Sequence, residues 1–369
     1  MSNSRELLAD ERVVLTDAQA MERAIALAWN GWGRVAPNPL VGCVLLADGE
    51  VVGEGWHAEF GGWHAERMAL KSAGERARGA TAFVTLEPCG HTGQQPPCAD
   101  ALIAAGVRRV VAAVADPNPA AAGGADRLRA AGVVVETGPC QREARHQLAP
   151  FLHLHRGLRR PWVALKLATS VDGRIADAAG RSQWISGPEA RAWVQWLRAG
   201  FDAIGVGGAT VEADDPQLTV RGPVVPRVAP RPIVFAGREG LPADRRIISG
   251  AAARATIVVA RPGTPGGEAW AAAGATVLEA DRLEVGLEQL WHAGVTSLLV
   301  EGGGRLAGAL LRDDLVDRAC LVQAPLFLGD AGRPAVAGWA GLPLAESERW
   351  TVVERRALGD DALLVMDRA

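Results

Sequence analysis

Tyrosine is absent from the 369 residues, cysteine occurs five times, and no apolar run approaches the roughly 20 residues that a membrane-spanning helix needs. Each scarcity excludes something. The five cysteines, Cys43, Cys89, Cys98, Cys140 and Cys320, are an odd number in a long chain and make a poor disulfide framework. Metal or redox roles are what remain for them. The first residues carry acids where a signal peptide needs an apolar stretch, so the expectation is a soluble, cytoplasmic protein. Lys/Arg runs are missing as well, and the formal net charge is −3. That balance gives no electrostatic case for nucleic acid or membrane as a standing partner, whereas a small anionic ligand needs only a few local cations. No internal repeat is visible, and the tryptophan-rich composition points to no function.

What is present suits two ordinary domains with large cores: hydrophobic residues make up 49% of the chain and charged residues 22%. Thr16-Asp-Ala-Gln19 reads as a capping box opening a helix to about Asn30. Pro37-Asn-Pro39 breaks the chain before β-type runs at Val41–Leu46 and Val51–Gly55, joined by Asp48-Gly49. A helix at His64–Ala73, a strand at Thr81–Leu86, a helix at Cys98–Ala105 and a strand at Arg109–Ala115 follow. A helix near Ala125–Ala131 and a strand at Val133–Glu136 complete the first set. Gly138–Arg160 is polar and partly basic, and reads as a linker with His153 and His155 on its surface. The expected domains are therefore 1–150 and 151–369. The second alternation has strands at Trp162–Ala168, Ala203–Gly207, Pro232–Ala236, Thr256–Val259, Ser297–Glu301 and Leu363–Met366. Its helices are expected at Pro188–Ala199, at Leu283–Ala293 and from about Arg305, with loops at Pro223–Pro232 and Arg261–Gly274. Strands alternating with helices make the class α/β.

The chemistry concentrates in one pattern. A hydrolytic zinc site wants three protein ligands and an open position for water. His64-Ala65-Glu66 opens a helix, Cys89 follows a strand, and Cys98 opens the next helix after eight intervening residues. Helix N-termini favour thiolates, and Glu66 is placed to move a proton from water to a leaving amine. This H-x-E plus P-C…C arrangement is that of zinc deaminases, whose common form has two residues between the cysteines. Three other readings stay open on these residues. One is a nucleic-acid base deaminase with an accessory domain, which calls for a basic groove that is not evident. Another is a structural zinc module on a nucleotide-binding scaffold, which calls for a fourth ligand. The third is a set of buried small thiols beside a capped surface histidine.

Pro37-Asn-Pro-Leu-Val-Gly-Cys43, His64-Ala-Glu66, Thr85-Leu-Glu-Pro-Cys89, Pro96-Pro-Cys98 and Asp116-Pro-Asn-Pro119 together resemble the bifunctional riboflavin-biosynthesis deaminase–reductases. In that family the longer inter-cysteine loop is usual. The resemblance implies a cytidine-deaminase-like three-layer domain with Zn2+ on His64, Cys89 and Cys98. Glu66 would be catalytic there, and Asn38, His57 and His91 would line the substrate pocket. The implied reaction is deamination of 2,5-diamino-6-ribosylamino-4(3H)-pyrimidinone 5′-phosphate, a phosphorylated pyrimidine. Three departures stand out. Gly90 replaces the family's usual Ser. Gln94-Gln95 replaces a Lys/Arg-Thr pair. Ala121-Ala-Gly-Gly-Ala125 replaces Val-Ala-Gly-Arg-Gly. Two cations are thereby gone from loops expected around the substrate, which motivates a variant reading: a diverged paralogue with a working reductase and an impaired or retargeted deaminase.

Downstream, Lys166-Leu-Ala-Thr-Ser170-Val-Asp172-Gly173-Arg174, Ser182-Gln-Trp-Ile-Ser186, Gly205-Val-Gly-Gly-Ala-Thr210 and Val300-Glu-Gly-Gly-Gly-Arg305 resemble the reductase half of the same family. That half implies a dihydrofolate-reductase-like fold using NADPH to reduce the ribosyl group to ribityl. Glycines at a strand–helix junction let backbone N–H groups approach a phosphate, although no G-x-G-x-x-G fingerprint is present. By matching positions, Ala168, Trp184, Thr210, Asp214 and the turn from Gly303 and Gly304 to Ala309 are implied NADPH contacts. Ser182, Arg198, Leu218, Arg221 and Glu301 are implied substrate contacts, with Lys166 and Asp172 as further candidates. A homo-oligomer is expected.

Overall fold

The structure, a computed structural model, describes residues 14–92, 95–242, 244–249 and 255–368. Gln94, singled out above, lies outside them. The chain divides into two compact units, 1–149 and 150–369.

The first unit holds a five-stranded sheet of order β2-β1-β3-β4-β5, made of β1 (Gly42–Ala47), β2 (Glu50–Trp56), β3 (Thr81–Leu86), β4 (Arg109–Val114) and β5 (Val134–Thr137). β1 runs antiparallel to both β2 and β3, whereas β3, β4 and β5 are parallel to one another. Helices lie on both faces, because successive side chains of a strand point to opposite sides. Cys43, Leu45, Val84 and Val110 face α2 (Ala65–Ala73), α3 (Cys98–Ala104) and α4 (Gly124–Ala130), burying Ala65, Ala69, Ala99, Leu102 and Leu128. The opposite face takes α1 (Asp17–Ala28), whose Thr16 capping box is present with both hydrogen bonds. α2 sits hard against β2: a Cβ at Gly53 or Gly55 would overlap the Ala69 or Ala65 carbonyl oxygen. Those two glycines set the height at which the helix bearing Glu66 rests on the sheet.

The expected linker is instead a helix, α5 (Gln141–Leu154), with Pro150 inside it, and the chain passes from one unit to the other within it. An internal proline and a polar composition argue against a helix locally. Burial of Ala144, Gln147 and Leu148 at helical spacing outweighs that, helped by the Gln147 amide donating to the Ile25 carbonyl oxygen at 2.8 Å. His153, expected on a linker surface, is buried, its Nε2 3.0 Å from the Arg160 carbonyl oxygen.

The second unit is built on a nine-stranded sheet of order β11-β10-β9-β8-β12-β6-β13-β16-β15. Its strands are β6 (Trp162–Thr169), β8 (Ala203–Gly207), β9 (Arg231–Phe235), β10 (Ile257–Ala260), β11 (Thr276–Glu279), β12 (Ser297–Glu301), β13 (Arg318–Gln323), β15 (Thr351–Leu358) and β16 (Asp361–Asp367). Strands β11 to β13 in that order are parallel, and β16 and β15 close one edge antiparallel. A short pair, β7 (Arg174–Ala176) and β14 (Arg333–Pro334), lies apart from the main sheet. The helices are α6 (Pro188–Arg198), α7 (Gly208–Asp214), α8 (Gly267–Ala272), α9 (Leu283–His292) and α10 (Gly304–Arg312). α8 falls in the segment expected as a loop: its Ala/Gly-rich sequence hides it, and one fully buried side chain, Trp270, anchors it, the indole N–H donating to the Leu241 carbonyl oxygen at 3.1 Å. No helix of the described residues is long and apolar enough to cross a membrane.

Candidate active sites

Two places bring the singled-out residues together, one in each unit. In the first unit β3 ends at Leu86, α2 begins at Ala65 and α3 at Cys98, so one strand end and two helix starts supply the donors. His64 is the extended residue capping α2. Its Nδ1 lies 3.7 Å from the Cys89 sulfur and 3.3 Å from the Cys98 sulfur. All three ligand atoms lie within 4.8 Å of one another, the one group of three or more metal-ligating side chains found among the described residues.

The electrostatics of this cluster call for a cation. The hydrogen bond from the Cys98 thiol holds the Cys89 thiol down at about 4, against burial and with help from His64 and the Cys98 backbone N–H. That same bond, followed by burial and the nearby Glu66 carboxyl, pushes the Cys98 thiol up. Glu66 is buried to 3% exposure, and burial raises its carboxyl above the ordinary range. Two thiols and a carboxyl packed this closely cannot all ionise without a positive charge among them. The donor set, one imidazole nitrogen and two sulfurs, matches zinc and leaves a fourth position for a small molecule.

Beside the cluster, His57 is almost fully buried and its ring meets His64 edge-on at 5.5 Å. Burial lowers its pKa, so the ring is neutral near pH 7. Its Nδ1–H donates to the Trp63 carbonyl oxygen at 3.0 Å, which leaves Nε2 to accept from the Asn38 amide at 3.1 Å. Asn38 and His57 are thus locked together at the site, while His91 stands exposed on the loop after Cys89. The departures in this region are linked physically. The Gly90 N–H donates to the Ala121 carbonyl oxygen at 3.0 Å, and a Cβ at Gly90 would come within 2.7 Å of the Gly124 nitrogen. A Cβ at Gly124 would overlap the Pro88 carbonyl oxygen. The two loops meet backbone to backbone, which leaves no room for the family's side chains. The Gln95 amide nitrogen is committed to the Gly62 carbonyl oxygen at 2.9 Å.

In the second unit a cleft of about 1560 Å³ opens along the C-terminal ends of β6, β8, β9 and β12, where ligands of parallel sheets bind. Every matched reductase position lines it: Ala168, Ser182, Trp184, Arg198, Thr210, Asp214, Leu218, Arg221, Glu301, Gly303 and Gly304. Arg198, which an exposed helix position would leave solvated, is buried against Glu301 in a two-pronged ion pair of 2.6 and 2.7 Å. A third bond from Arg198 to the Thr219 carbonyl oxygen, at 2.9 Å, fastens the segment between Leu218 and Arg221. Ser182 donates to Asp214 at 3.3 Å, tying an implied substrate contact to an implied cofactor contact. Gly302 and Gly303 have φ of 74° and 86°, conformations that turn the chain sharply into α10, and Thr210 stands against Gly303. A volume above the usual range of about 300–1,000 Å³, with a glycine turn at a helix N-terminus, fits a dinucleotide beside a second ligand. Lys166 lines the cleft, with burial lowering its pKa. Asp172 does not line it; it accepts from Ser170 and from the N–H groups of Leu328 and Gly329, holding a loop. Arg191, which the sequence reading missed, stacks its guanidinium 4.8 Å from the Trp184 ring. The spacing of Trp184 and Arg191 across a turn into α6 carried no signal by itself.

A zinc-type deaminase centre and a separate reductase cleft on one chain define a bifunctional deaminase–reductase. Residues 15–114 match the cytidine and deoxycytidylate deaminase zinc-binding region, and residues 161–364 match the RibD C-terminal domain. The chain is 42% identical to the riboflavin biosynthesis protein RibD of Escherichia coli, over 95% of this chain and 99% of the relative. It resembles the structure of Acinetobacter baumannii RibD with a TM-score of 0.79 and 37% identity, covering 95% of this chain and 98% of that one. The Thermotoga maritima diaminohydroxyphosphoribosylaminopyrimidine deaminase/5-amino-6-(5-phosphoribosylamino)uracil reductase has the same TM-score at 33% identity, covering 96% and 99%. The chain belongs to the RibD family: it is a bifunctional deaminase and reductase of riboflavin biosynthesis, with a zinc-binding deaminase unit and an NADPH-dependent reductase unit.

Proposed function

We propose that the first unit removes the ring amine of 2,5-diamino-6-ribosylamino-4(3H)-pyrimidinone 5′-phosphate, and that the second reduces the ribosyl chain of that product to give 5-amino-6-(5-phosphoribitylamino)uracil. The observation that carries the reading is Glu66, buried beside three converging zinc donors. His64, Cys89 and Cys98 would hold zinc, which would supply Lewis acidity for a water near neutral pH. Glu66, its carboxyl raised by burial, is suited to take the proton from water and hand it to the departing amine. His57, fixed in one tautomer, and Asn38 hold the pyrimidine, with His91 at the rim.

In the reductase unit NADPH supplies the hydride. Ala168, Trp184, Thr210, Asp214, Gly303 and Gly304 orient the cofactor. Ser182, Leu218, Arg221 and the Arg198–Glu301 pair orient the sugar phosphate, an anion that suits arginines able to donate in parallel. The functional division runs with domains at 1–150 and 151–369, and a cytoplasmic homo-oligomer belongs to the same proposal, its assembly testable by analytical ultracentrifugation.

A second reading has a specific observation behind it. Gly90 and Gly124 exclude the side chains that the family carries there, and Gln95 is spent on Gly62. A deaminase that has lost these contacts would be slow or retargeted beside an intact reductase. Product analysis of the purified protein with the diaminopyrimidinone, with and without NADPH, separates the two. Full conversion to the ribitylaminouracil phosphate supports the bifunctional reading, and reduction only of pre-deaminated substrate supports the second.

A further inference from the structure

We propose that Arg238 and Arg261 form the clamp that selects NADPH over NADH by gripping the 2′-phosphate of its adenosine. The inference rests on the reading of the cleft as the NADPH site and adds the direction in which the cofactor lies.

The order of strand ends along the cleft sets that direction. Glu301, Arg198 and Lys166 stand at the ends and faces of β12, α6 and β6, the end assigned to the sugar phosphate. The hydride-bearing ring must therefore lie over β6 and β12. The glycine turn Gly302–Gly304, which leads from β12 into α10, takes the pyrophosphate. The rest of the dinucleotide can extend only towards β8, β9 and β10, the remaining parallel strands on that side of β12. Adjacent strands lie about 4.8 Å apart, so the ends of β9 and β10 stand roughly 10–15 Å from the turn.

At those ends sit two arginines. Arg238 follows β9 by three residues and Arg261 follows β10 directly, and both line the cleft. β9 and β10 are paired in parallel, Phe235 opposite Val259, so the two side chains start from neighbouring strand ends. Both are exposed, and neither has a carboxylate partner among the described residues. Of the other cleft arginines, Arg246 pairs with Asp215 at 2.8 Å, Arg282 with Glu284 at 3.3 Å and Arg312 with Asp313 at 2.7 Å. Arg191 stacks on Trp184, Arg221 belongs to the sugar-phosphate end, and Arg333 lies in β14, outside the main sheet. A doubly charged phosphate is held best by guanidinium groups that no carboxylate has neutralised. Arg305 is also unpaired and exposed, but it lies in the first turn of α10 beside the glycines, a place for the pyrophosphate that both nicotinamide cofactors share.

The test is equilibrium binding of NADPH and NADH to the full-length protein by titration calorimetry, with turnover measured alongside. Arg238→Ala and Arg261→Ala should each raise the Kd for NADPH about ten- to a hundredfold and leave the Kd for NADH unchanged. Arg305→Ala should weaken both cofactors together. The KM for NADPH should rise together with its Kd in the Arg238 and Arg261 variants. A parallel loss of both cofactors in those variants, no change in either, or an NADPH-selective loss confined to Arg305→Ala overturns the clamp. If the unaltered protein bound neither cofactor, the reading of the cleft itself would fail, a result distinct from failure of the clamp.

Discussion

Arg198 and Glu301 show how much of a site can hang on one pair of side chains. Both are largely buried, at 12% and 13% side-chain exposure, and each removes the cost of burying the other. Glu301→Gln leaves the guanidinium buried without its counter-charge. The expected loss is about 3–5 kcal/mol of stability in the reductase unit, read as a lower melting temperature, together with a raised KM for the sugar phosphate. The pair also carries a pH signature. Burial alone would raise the Glu301 pKa, but the hydrogen bonds and charge of Arg198, with Lys166 behind them, pull it below the ordinary value. The folded state then binds fewer protons than the unfolded one in the acid range. The stabilisation is complete above about pH 4.3, the unfolded value, and drains away as pH falls through the depressed folded value. Thermal melts from pH 7 downward should show this component in the wild type and lack it in Glu301→Gln. At the other centre, Glu66→Gln should lower deamination at least a hundredfold, since proton transfer by a placed carboxyl contributes roughly 10²–10⁴. Zinc content by atomic absorption and reduction of pre-deaminated substrate should stay unchanged. Unaltered deamination would remove Glu66 from the mechanism.

At the scale of elements, the loops around the zinc donors are set by backbone contact. Gly90 and Gly124 face each other across the Pro88–Gly90 and Ala121–Gly124 segments, and the departures from the family's usual residues form one structural unit. Restoring a cation by Gly124→Arg should therefore cost stability rather than improve catalysis. Forcing a side chain into the Pro88 carbonyl costs about 1–3 kcal/mol or more, which differential scanning calorimetry of the first unit would register. An unchanged melting curve would mean that this contact does not hold the loop. Most elements were legible because their periodicity or capping is local: Thr16 with Gln19 at α1, alternation at β1 and β2, apolar runs at β3 and β12. α5 and α8 were not. Each owes its helix to burial against distant residues, Leu148 and Ala144 in one and Trp270 under Leu241 in the other, and a window of sequence does not contain those partners.

For the whole molecule, two compact units carrying two chemistries make the activities separable. Stripping zinc with a chelator should abolish deamination and lower the melting temperature of the first unit, because donors assembled by folding return their binding energy as stability. NADPH oxidation with pre-deaminated substrate should continue at its original rate. If it stopped as well, the units would not be independent in this respect.

The zinc set His64, Cys89 and Cys98 with Glu66 was readable in order along the chain, since metal chemistry demands particular residue types at strand and helix ends. The two activities and their order along the chain came from the resemblance that these motifs and the reductase segments carry to a known family. Tertiary structure alone decided what stands next to what across long separations. It joined Arg198 to Glu301 over 103 residues, turned Asp172 from a cleft residue into a loop fastener, and brought Gly90 against Gly124. It also brought Arg238 and Arg261, which follow two paired parallel strands, into the lining of one cleft. Sequence spacing records the chemistry a short segment can perform, whereas burial and charge compensation between distant segments exist only once the sheets have formed.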